Sequence, residues 1–380
     1  MIEAWHVRVI GQYIMDKVFL PRADLGLLYQ ALIDEGYQVV GPQQQDGAII
    51  FDYLDDVRDL PWGAQEKVAP GSYQLVQSDE QRCFSWNTGP QAFKPFLFKP
   101  TQLLWTGQET STGVTFKPVE PNAKPLAFLG VRSCDISALY LQDKHFMHGV
   151  YADTWYTEQR NQLCIIAVNC SQSAQTCFCV STGDGPEASF GFDLLLDEVD
   201  DGYLILPKGE KGNRVLARLA VQDATTIQLD QAKEQLQTAS IQSRKMPEAE
   251  TLKRLIRHLN DKQWLQIAER CLACGNCTSV CPTCFCSKQE SSQELSTNEY
   301  QQVRYWDSCF SEQHSHIAGK TIRGKISQRY RQWMLHKLVT WQDQYQRSGC
   351  VGCGRCISWC PVAIDLVEEV NVILEGEVHE

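Results

Sequence analysis

Cysteine spacing defines the chemistry that this sequence can support. Two segments repeat the pattern C-x2-C-x2-C-x3-C-P, the first through Cys271, Cys274, Cys277 and Cys281 and the second through Cys350, Cys353, Cys356 and Cys360. A cubane 4Fe-4S cluster takes a thiolate at each of its irons, and a tight loop of three cysteines supplies three of them. The repeated pattern therefore predicts two 4Fe-4S clusters.

The fourth ligand of each cluster is expected from the other segment, because two-cluster ferredoxins exchange their last cysteines. The expected sets are Cys271, Cys274, Cys277 and Cys360 for the first cluster and Cys350, Cys353, Cys356 and Cys281 for the second. Structural zinc is the alternative, since thiolate tetrads also hold Zn²⁺, although zinc ribbons usually pair two C-x2-C knuckles. A zinc-held scaffold without enzymatic activity therefore stays open.

A further group of cysteines lies in the amino-terminal part of the chain. Cys134 and Cys170 each come just after an apolar strand, and Cys177 and Cys179 follow shortly afterwards. Sites in open α/β sheets collect at the carboxyl ends of strands, so these four thiols are expected to converge. They predict a third 4Fe-4S cluster. The alternative is a set of buried cysteines that act as small hydrophobic side chains.

Three more cysteines lie near the first ferredoxin segment, at Cys284, Cys286 and Cys309. The tetrapeptide Thr-Cys-Phe-Cys that ends at Cys179 recurs here and ends at Cys286. These thiols would nucleate a fourth metal site, for which the sequence offers no clear fourth ligand. Otherwise they pack beside the ferredoxin clusters.

Composition limits the class of protein. The chain has 17 cysteines in 380 residues, and clustered thiols in a reducing compartment are typically metal ligands or redox-active groups. A net charge of −11 argues against a nucleic-acid partner, which needs a basic face. No apolar stretch approaches the roughly 18 residues of a membrane span, and the amino terminus lacks a signal pattern. We expect a cytoplasmic protein without a membrane span.

The helices and strands that position these cysteines are predicted to form two regions. Residues 1–240 alternate apolar strands with helical patterns, as at Pro125 to Val131, where Asp135 is expected to cap the following helix. This region is predicted as an α/β or α+β domain that carries the third cluster. Residues 241–380 are predicted as an α-helical ferredoxin-like dicluster domain, because the gap between the two cysteine segments is long and partly helical. No dinucleotide or nucleoside triphosphate loop is present.

A run of six basic residues without an acid lies between the two cysteine segments, at Lys320, Arg323, Lys325, Arg329, Arg331 and Lys337. Such a run is commonly a solvated helix face. The functional alternatives are a docking surface for an acidic partner, or positive charge that offsets the anionic clusters. His314 and His316 are interpreted as structural polar residues.

Several of these motifs together resemble a known family. They are Gly130-Val-Arg-Ser-Cys-Asp135, Asn169-Cys170, Thr176-Cys-Phe-Cys179, the two ferredoxin segments, Cys281-Pro-Thr-Cys-Phe-Cys286, Trp306-Asp-Ser-Cys309 and Gly36-Tyr-Gln-Val-Val-Gly-Pro42. The sequence resembles the iron-sulfur beta subunit of cytosolic sulfhydrogenases, which is related to the A subunit of anaerobic sulfite reductase. Ser133 stands where that family usually has proline, which does not alter the adjacent thiol.

The resemblance implies an electron-transfer subunit rather than a catalytic one. In that family the subunit relays electrons between a flavin subunit that handles NAD(P)H and a partner with a NiFe hydrogenase centre or a siroheme. No catalytic residue is therefore assigned. The alternative is that the chain itself reduces sulfur, polysulfide or sulfite, beside a spare thiol such as Cys309.

Overall fold

The computed structural model describes residues 17–294 and 299–376. Its strands are β1 (Val18–Pro21), β2 (Gln38–Gln45), β3 (Ala48–Tyr53), β4 (Ala64–Ala69), β5 (Ser72–Gln77), β6 (Thr101–Thr110), β7 (Gly113–Pro118), β8 (Leu126–Val131), β9 (Leu163–Val168), β10 (Leu194–Glu198), β11 (Gly202–Pro207), β12 (Gln222–Asp223), β13 (Ser287–Glu294), β14 (Glu299–Trp306), β15 (His316–Ile317) and β16 (Lys320–Thr321).

The helices are mostly short. They are α1 (Leu25–Asp34), α2 (Lys94–Leu97), α3 (Ser133–Phe146), α4 (Thr154–Asn161), α5 (Cys179–Thr182), α6 (Gly209–Leu216), α7 (Thr226–Ala239), α8 (Ala249–Lys253), α9 (Gln263–Arg270), α10 (Asn276–Ser279), α11 (Ile326–Leu335), α12 (Trp341–Tyr345), α13 (Arg355–Ser358) and α14 (Leu366–Glu375). A π-helical turn at His336–Thr340 joins α11 to α12.

The largest sheet has eight strands in the order β12-β1-β11-β10-β9-β8-β2-β3. Its centre is parallel, since β2, β8, β9 and β10 run in one direction, and antiparallel strands flank them on both sides. Every residue of β8 and of β9 is buried. This agrees with their continuous apolar sequences, which are typical of parallel strands covered on both faces. The predicted mixed α/β composition of this region is confirmed.

The crossover from β8 to β9 runs through α3 and α4, so the loops after β8 and β9 open on the same edge of the sheet. The carboxyl ends of adjacent parallel strands are where α/β proteins place their sites. Cys134 and Cys170 lie at this edge, one in the first turn of α3 and the other two residues after β9.

A second sheet, in the order β13-β14-β6-β7, joins the two halves of the chain. Strand β14 pairs antiparallel with β6 through seven residue pairs. Residues on both sides of position 240 therefore build one sheet, and the division into domains 1–240 and 241–380 remains a prediction. The carboxy-terminal part contains four strands besides its helices, and its α-helical ferredoxin character also remains a prediction.

Two large apolar cores hold the described residues, beside a small third cluster of Phe19, Val199, Leu204 and Ala232. The larger surrounds the eight-stranded sheet and reaches Cys134, Cys179 and Cys353. The smaller lies among the helices of the carboxy-terminal part and includes Phe178 from the amino-terminal part. The two cores therefore meet at the cysteine loops, which are shielded by side chains from both halves of the chain.

Some local expectations differ from the structure. Asp135 does not cap α3; Arg132 occupies the N-cap, and Asp135 lies buried in the first turn. Gly41 and Pro42 lie inside β2, where both residues pair with β3. The β2–β3 turn falls at Asp46 and Gly47, both with positive φ, because this conformation suits an Asp-Gly pair.

Candidate metal centres

The first ferredoxin segment forms a tight loop after α9. Cys271 is the C-cap of that helix, and the chain then turns through Ala273 and Gly275, both in left-handed conformations. The Ala273 N–H donates to the Cys271 sulfur at 3.4 Å. Backbone amides that point at a sulfur are suited to a thiolate with negative charge, as expected at a cluster ligand.

Cys360, from the second segment, joins this loop. Its sulfur accepts from the Ile364 N–H at 3.3 Å. Its charge also bears on Cys271 and on Cys277, which places the three side chains together. Cys271, Cys274, Cys277 and Cys360 therefore gather around one cavity, whose apolar wall includes Tyr330 and Trp333.

The second ferredoxin segment gathers in the same way. Cys350 and Cys353 are buried, and the charge of Cys281 bears on both of them and on Cys356. Cys281 thus lies near the second set and Cys360 near the first, and the exchanged pairing stays a prediction. The assignment of these eight residues as ligands stays a prediction.

Cys281 has a positively charged environment, which the sequence did not predict. The buried Lys337 ammonium donates to the Cys281 sulfur at 3.4 Å, to the Thr283 hydroxyl at 2.8 Å and to the Gly349 carbonyl at 3.4 Å. A thiol hydrogen bond from Cys284, with help from Lys337, holds the pKa of Cys281 well below its usual range. Lys337 thus places one charge of the basic run beside Cys281, and the expectation that this charge offsets an anionic cluster stays a prediction.

The remaining basic residues of that run behave differently from one another. Arg329 is also buried, donating to the carbonyls of Arg323 and Gly324 and pairing with Glu312. Lys320 and Lys325 are exposed. The run is therefore not one solvated face, because two of its members point into the protein.

A second lysine lies on the other side of the Cys281 loop. The buried Lys94 ammonium donates to the carbonyls of Thr278, Ser279 and Cys281, each at 3.3 Å, and sits 4.0 Å from the centre of the Trp306 ring. Burial lowers the pKa of Lys94, and the neighbouring Cys284 and Cys281 oppose that shift. Lys94 ties α2 to the ferredoxin part of the chain.

The third group of cysteines is brought together by three separate loops. Cys177 lies beside Cys179 and Cys170. Burial raises the pKa of Cys177 most, and the charges of Cys179 and Cys170 raise it further. Cys134 lies close to Cys179 and to Cys353 of the second ferredoxin set. The predicted third set is therefore assembled in space, and it adjoins the second set through Cys353. Its role as a ligand set remains a prediction.

Glycines allow this close approach. The Phe178 N–H donates to the Gly352 carbonyl at 2.8 Å. A Cβ on Gly352 would lie 2.5 Å from the backbone of Cys179, and one on Gly354 would lie 2.4 Å from the Thr176 carbonyl oxygen. Both glycines also have positive φ, near +65° and +74°. Only glycine fits here, and the two backbones touch.

A buried ion pair fixes the same junction. The Arg355 guanidinium, two residues after Cys353, donates to both oxygens of Asp135 at 2.7 and 3.0 Å and to the Gly89 carbonyl at 2.8 Å. Arg355 and Asp135 are each 1% exposed in their side chains. Since Asp135 directly follows Cys134, the pair locks the third set to the second.

Arg132 places a further buried cation beside this third set. Its guanidinium donates to the carbonyls of Val168, Asn169, Phe84 and Trp86 and lies over the Trp86 ring. The charge of Arg132 lowers the pKa of Cys170, although burial raises it more strongly. The site thus has a positive wall at the carboxyl end of β9.

The donor set fits metal-bound thiolates better than free thiols. Burial raises the pKa of Cys134, Cys177, Cys277 and Cys356 well above the ordinary thiol value. Ionised sulfur in these positions would be costly without a bound cation, and iron supplies that cation in a cluster. Within residues 17–294 and 299–376, no three His, Cys, Asp or Glu side chains converge on a single ion.

Cys284, Cys286 and Cys309 are all partly buried near the first two sets. Cys284 lies near Cys281, and Cys286 lies near Cys309 and His314, since the charge of Cys281 bears on the pKa of Cys284 and the charge of Cys286 bears on the pKa of the other two. His314 pairs with Asp307 through Nδ1 at 2.5 Å, and its interpretation as a structural polar residue stays a prediction. His316 is exposed and contacts Thr321.

Among the described residues, none of the helices combines the length and the apolar character that a membrane crossing requires.

The chain is similar to known iron-sulfur proteins. Residues 270–364 match a family model described as a 4Fe-4S dicluster domain. The chain is 31% identical over 287 residues to sulfhydrogenase 2 subunit beta of Pyrococcus furiosus, an alignment that covers 74% of this chain and 83% of the relative. No solved structure matches the chain significantly.

Proposed function

Because the chain belongs to the family of sulfhydrogenase beta subunits, we propose that it is an iron-sulfur subunit that carries electrons between a flavoprotein linked to NAD(P)H and a catalytic subunit. The catalytic subunit would hold a NiFe centre, or a siroheme as in sulfite reductase. One observation carries the proposal: three cysteine sets adjoin one another, the first and second through Cys277 and Cys356 and the second and third through Cys353 and Cys134.

The proposal includes three clusters, two on the ferredoxin sets and one on Cys134, Cys170, Cys177 and Cys179. When bound, such clusters supply one-electron carriers. The chain holds the thiolates in a continuous row and surrounds them with the two apolar cores. Apolar surroundings and nearby cations set the potential of such carriers, which is the task of Lys337 and Arg132 here.

The row has one end at the surface. Cys274 is the one exposed cysteine among the described residues, and the neighbouring Leu272 is 62% exposed. A redox partner that docks over Leu272 would approach the first set directly. The third set lies at the other end, beneath the loops at the edge of the eight-stranded sheet.

The test uses the full chain, purified and loaded with iron and sulfide without oxygen. Reduced methyl viologen should bleach the iron-sulfur absorbance, and the chain should then reduce neither sulfite nor polysulfide at a sustained rate. Sustained consumption of either acceptor would overturn the relay and make the chain itself the reductase. A colourless chain that binds zinc would overturn both the electron relay and the reductase alternative.

A further inference from the structure

Trp333 buries an indole N–H for which the described residues supply no acceptor. The residue lies on α11, and its side chain is 4% exposed. A buried indole N–H normally finds an acceptor, because burial removes the water that would otherwise accept its hydrogen bond. The Trp333 N–H therefore indicates an acceptor that is not one of the described side chains or carbonyls.

The Trp333 ring is held in place by two aromatic neighbours. Its centroid lies 5.3 Å from that of Tyr330, which is on the same buried face of α11, and 5.8 Å from that of Phe310. The Phe310 and Tyr330 rings also pack edge to face, with their centroids 5.9 Å apart. This packing restricts rotation of the indole, so the fold fixes the position of its N–H.

Trp333 lines the cavity around which the first cysteine set, Cys271, Cys274, Cys277 and Cys360, gathers. Phe310 and Tyr330 line the same cavity. Helix α11 packs against α9, the helix that ends at Cys271. The side chain with the unpartnered N–H therefore belongs to the wall of a candidate metal site.

Sulfur is the acceptor that this wall offers. Apart from the cysteines, the lining side chains with polar acceptor atoms are those of Asn276 and Tyr330, and neither accepts from Trp333. Asn276 is exposed, and its amide nitrogen donates to the Trp359 carbonyl at 3.0 Å. An N–H donor in this wall is therefore suited to the sulfur atoms of a cluster.

Other donors already serve the first cysteine set. The Ala273 N–H donates to the Cys271 sulfur, and the Ile364 N–H donates to the Cys360 sulfur. Both are backbone groups of the cysteine loops. Trp333 would add a side-chain donor from a separate helix.

Two other tryptophans show what distinguishes Trp333. Trp264 lies in the same apolar core, and its N–H donates to the His258 carbonyl at 2.7 Å. The Trp359 N–H also lacks a partner, but its ring packs on Tyr73 and does not line this cavity. Of the three, Trp333 alone combines a missing acceptor with a place in the wall of the first cysteine set.

We propose that Trp333 donates its indole N–H to a sulfur of the first cluster and thereby raises the reduction potential of that cluster. Hydrogen bonds to the sulfurs help to set cluster potentials. Reduction adds negative charge, and an acceptor with more negative charge forms the stronger hydrogen bond, so the donor favours the reduced form. The inference rests on the proposed cluster at the first cysteine set, and it does not depend on the partners of the electron relay.

The direct test needs no substitution. The full chain is produced with ¹⁵N in the indole of tryptophan, loaded with iron and sulfide without oxygen, and reduced with dithionite. A hydrogen bond brings the indole nitrogen close to the electron spin of the reduced cluster. Pulsed electron paramagnetic resonance should therefore detect a ¹⁵N coupling on an iron-sulfur signal.

Trp333→Phe should remove this coupling and shift the midpoint potential of the same signal to a lower value in a redox titration. Trp264→Phe is the matched control, because it removes an indole N–H that has a backbone acceptor in the same core. This control should keep both the coupling and the potential. Iron content should be equal in the unmodified chain and in both variants.

Benzothienylalanine at position 333 separates the N–H from the packing of the ring, because it keeps the size of the indole but lacks the donor. It should behave like Trp333→Phe. An unchanged potential with this residue would overturn the inference and assign any effect of Trp333→Phe to packing.

The labelled unmodified chain also separates this inference from the proposed cluster. An iron-sulfur signal without a ¹⁵N coupling would overturn the hydrogen bond and leave the cluster in place. A coupling that persists in Trp333→Phe would also overturn it, because another tryptophan would then be the donor. Absence of any iron-sulfur signal would overturn the cluster itself.

Discussion

At the scale of single residues, buried cations set the electrostatics of the cysteine sets. Lys337 touches the Cys281 sulfur, and Arg132 faces Cys170. Cluster reduction adds negative charge, so a nearby cation favours the reduced form. These residues should therefore tune potentials without being ligands.

Lys337→Met should lower the midpoint potential of the cluster held by Cys281. Loss of one buried charge near the cluster costs the reduced form roughly 2 kcal/mol, on the order of 100 mV for one electron. A redox titration followed by electron paramagnetic resonance measures the shift. Lys320→Met, at an exposed position of the same run, is the matched control and should leave the potential nearly unchanged.

Cys286 should be alkylated at a nearly constant rate between about pH 6 and pH 8, where an ordinary thiol reacts faster as pH rises. Hydrogen bonds from Cys309 and His314 lower its pKa to about 4, against the effect of burial, so the thiolate is already present at the lower pH. Iodoacetamide labelling with peptide mass spectrometry checks this. A rate that climbs about tenfold per pH unit would contradict it.

The sequence predicted the grouping of the cysteines better than the charged residues around them. Their spacing named the sets, whose role as ligand sets stays a prediction. Lys337, Lys94 and Arg132 escaped prediction, because a buried lysine looks the same in sequence as an exposed one. His314 escaped for a similar reason, since its contact with Cys286 depends on how β13 and β14 pair.

At the scale of elements, the junction between the second and third sets rests on glycine and on one ion pair. The loop around Gly352 lies against the chain at Cys179, and Arg355 reaches Asp135 in α3. Both contacts join segments far apart in sequence. Neither was predictable, because Asp135 was expected to cap the helix, whereas it is buried against Arg355.

Gly352→Ala should impair assembly of both adjoining sets, because the new Cβ would lie 2.5 Å from the Cys179 backbone. Gly183→Ala is the control, since Gly183 also has positive φ but nothing lies within 4 Å of its added Cβ. The control should cost only about 1 to 2 kcal/mol of stability from its backbone conformation. Iron content separates the two variants, and equal iron loss in both would show that strain alone is responsible.

Asp135→Asn should lower the free energy of unfolding by about 3 to 5 kcal/mol, because it leaves the buried Arg355 charge without its partner. Urea unfolding under anaerobic conditions gives the change. Arg58→Met breaks an exposed pair with Asp56 and should leave the free energy of unfolding nearly unchanged. A small effect at Asp135 would mean that the junction does not depend on this pair.

At the scale of the whole molecule, residues from both halves of the chain surround the cysteine sets. Strand β14 pairs with β6, Lys94 reaches the Cys281 loop, and Phe178 lies in the carboxy-terminal core. The periodicity of the sequence indicated an α/β region and a helical region but gave no sign of the sheet that joins them. Pairing between strands so distant in sequence leaves no local pattern to read.

The count of iron and acid-labile sulfide in the anaerobically purified chain tests the central claim of three adjoining cysteine sets most directly. Three cubanes give about 12 Fe per chain, and Cys134→Ser should reduce this to about 8 while the ferredoxin signals persist. About 8 Fe in the unmodified chain, with no change in Cys134→Ser, would contradict the third set.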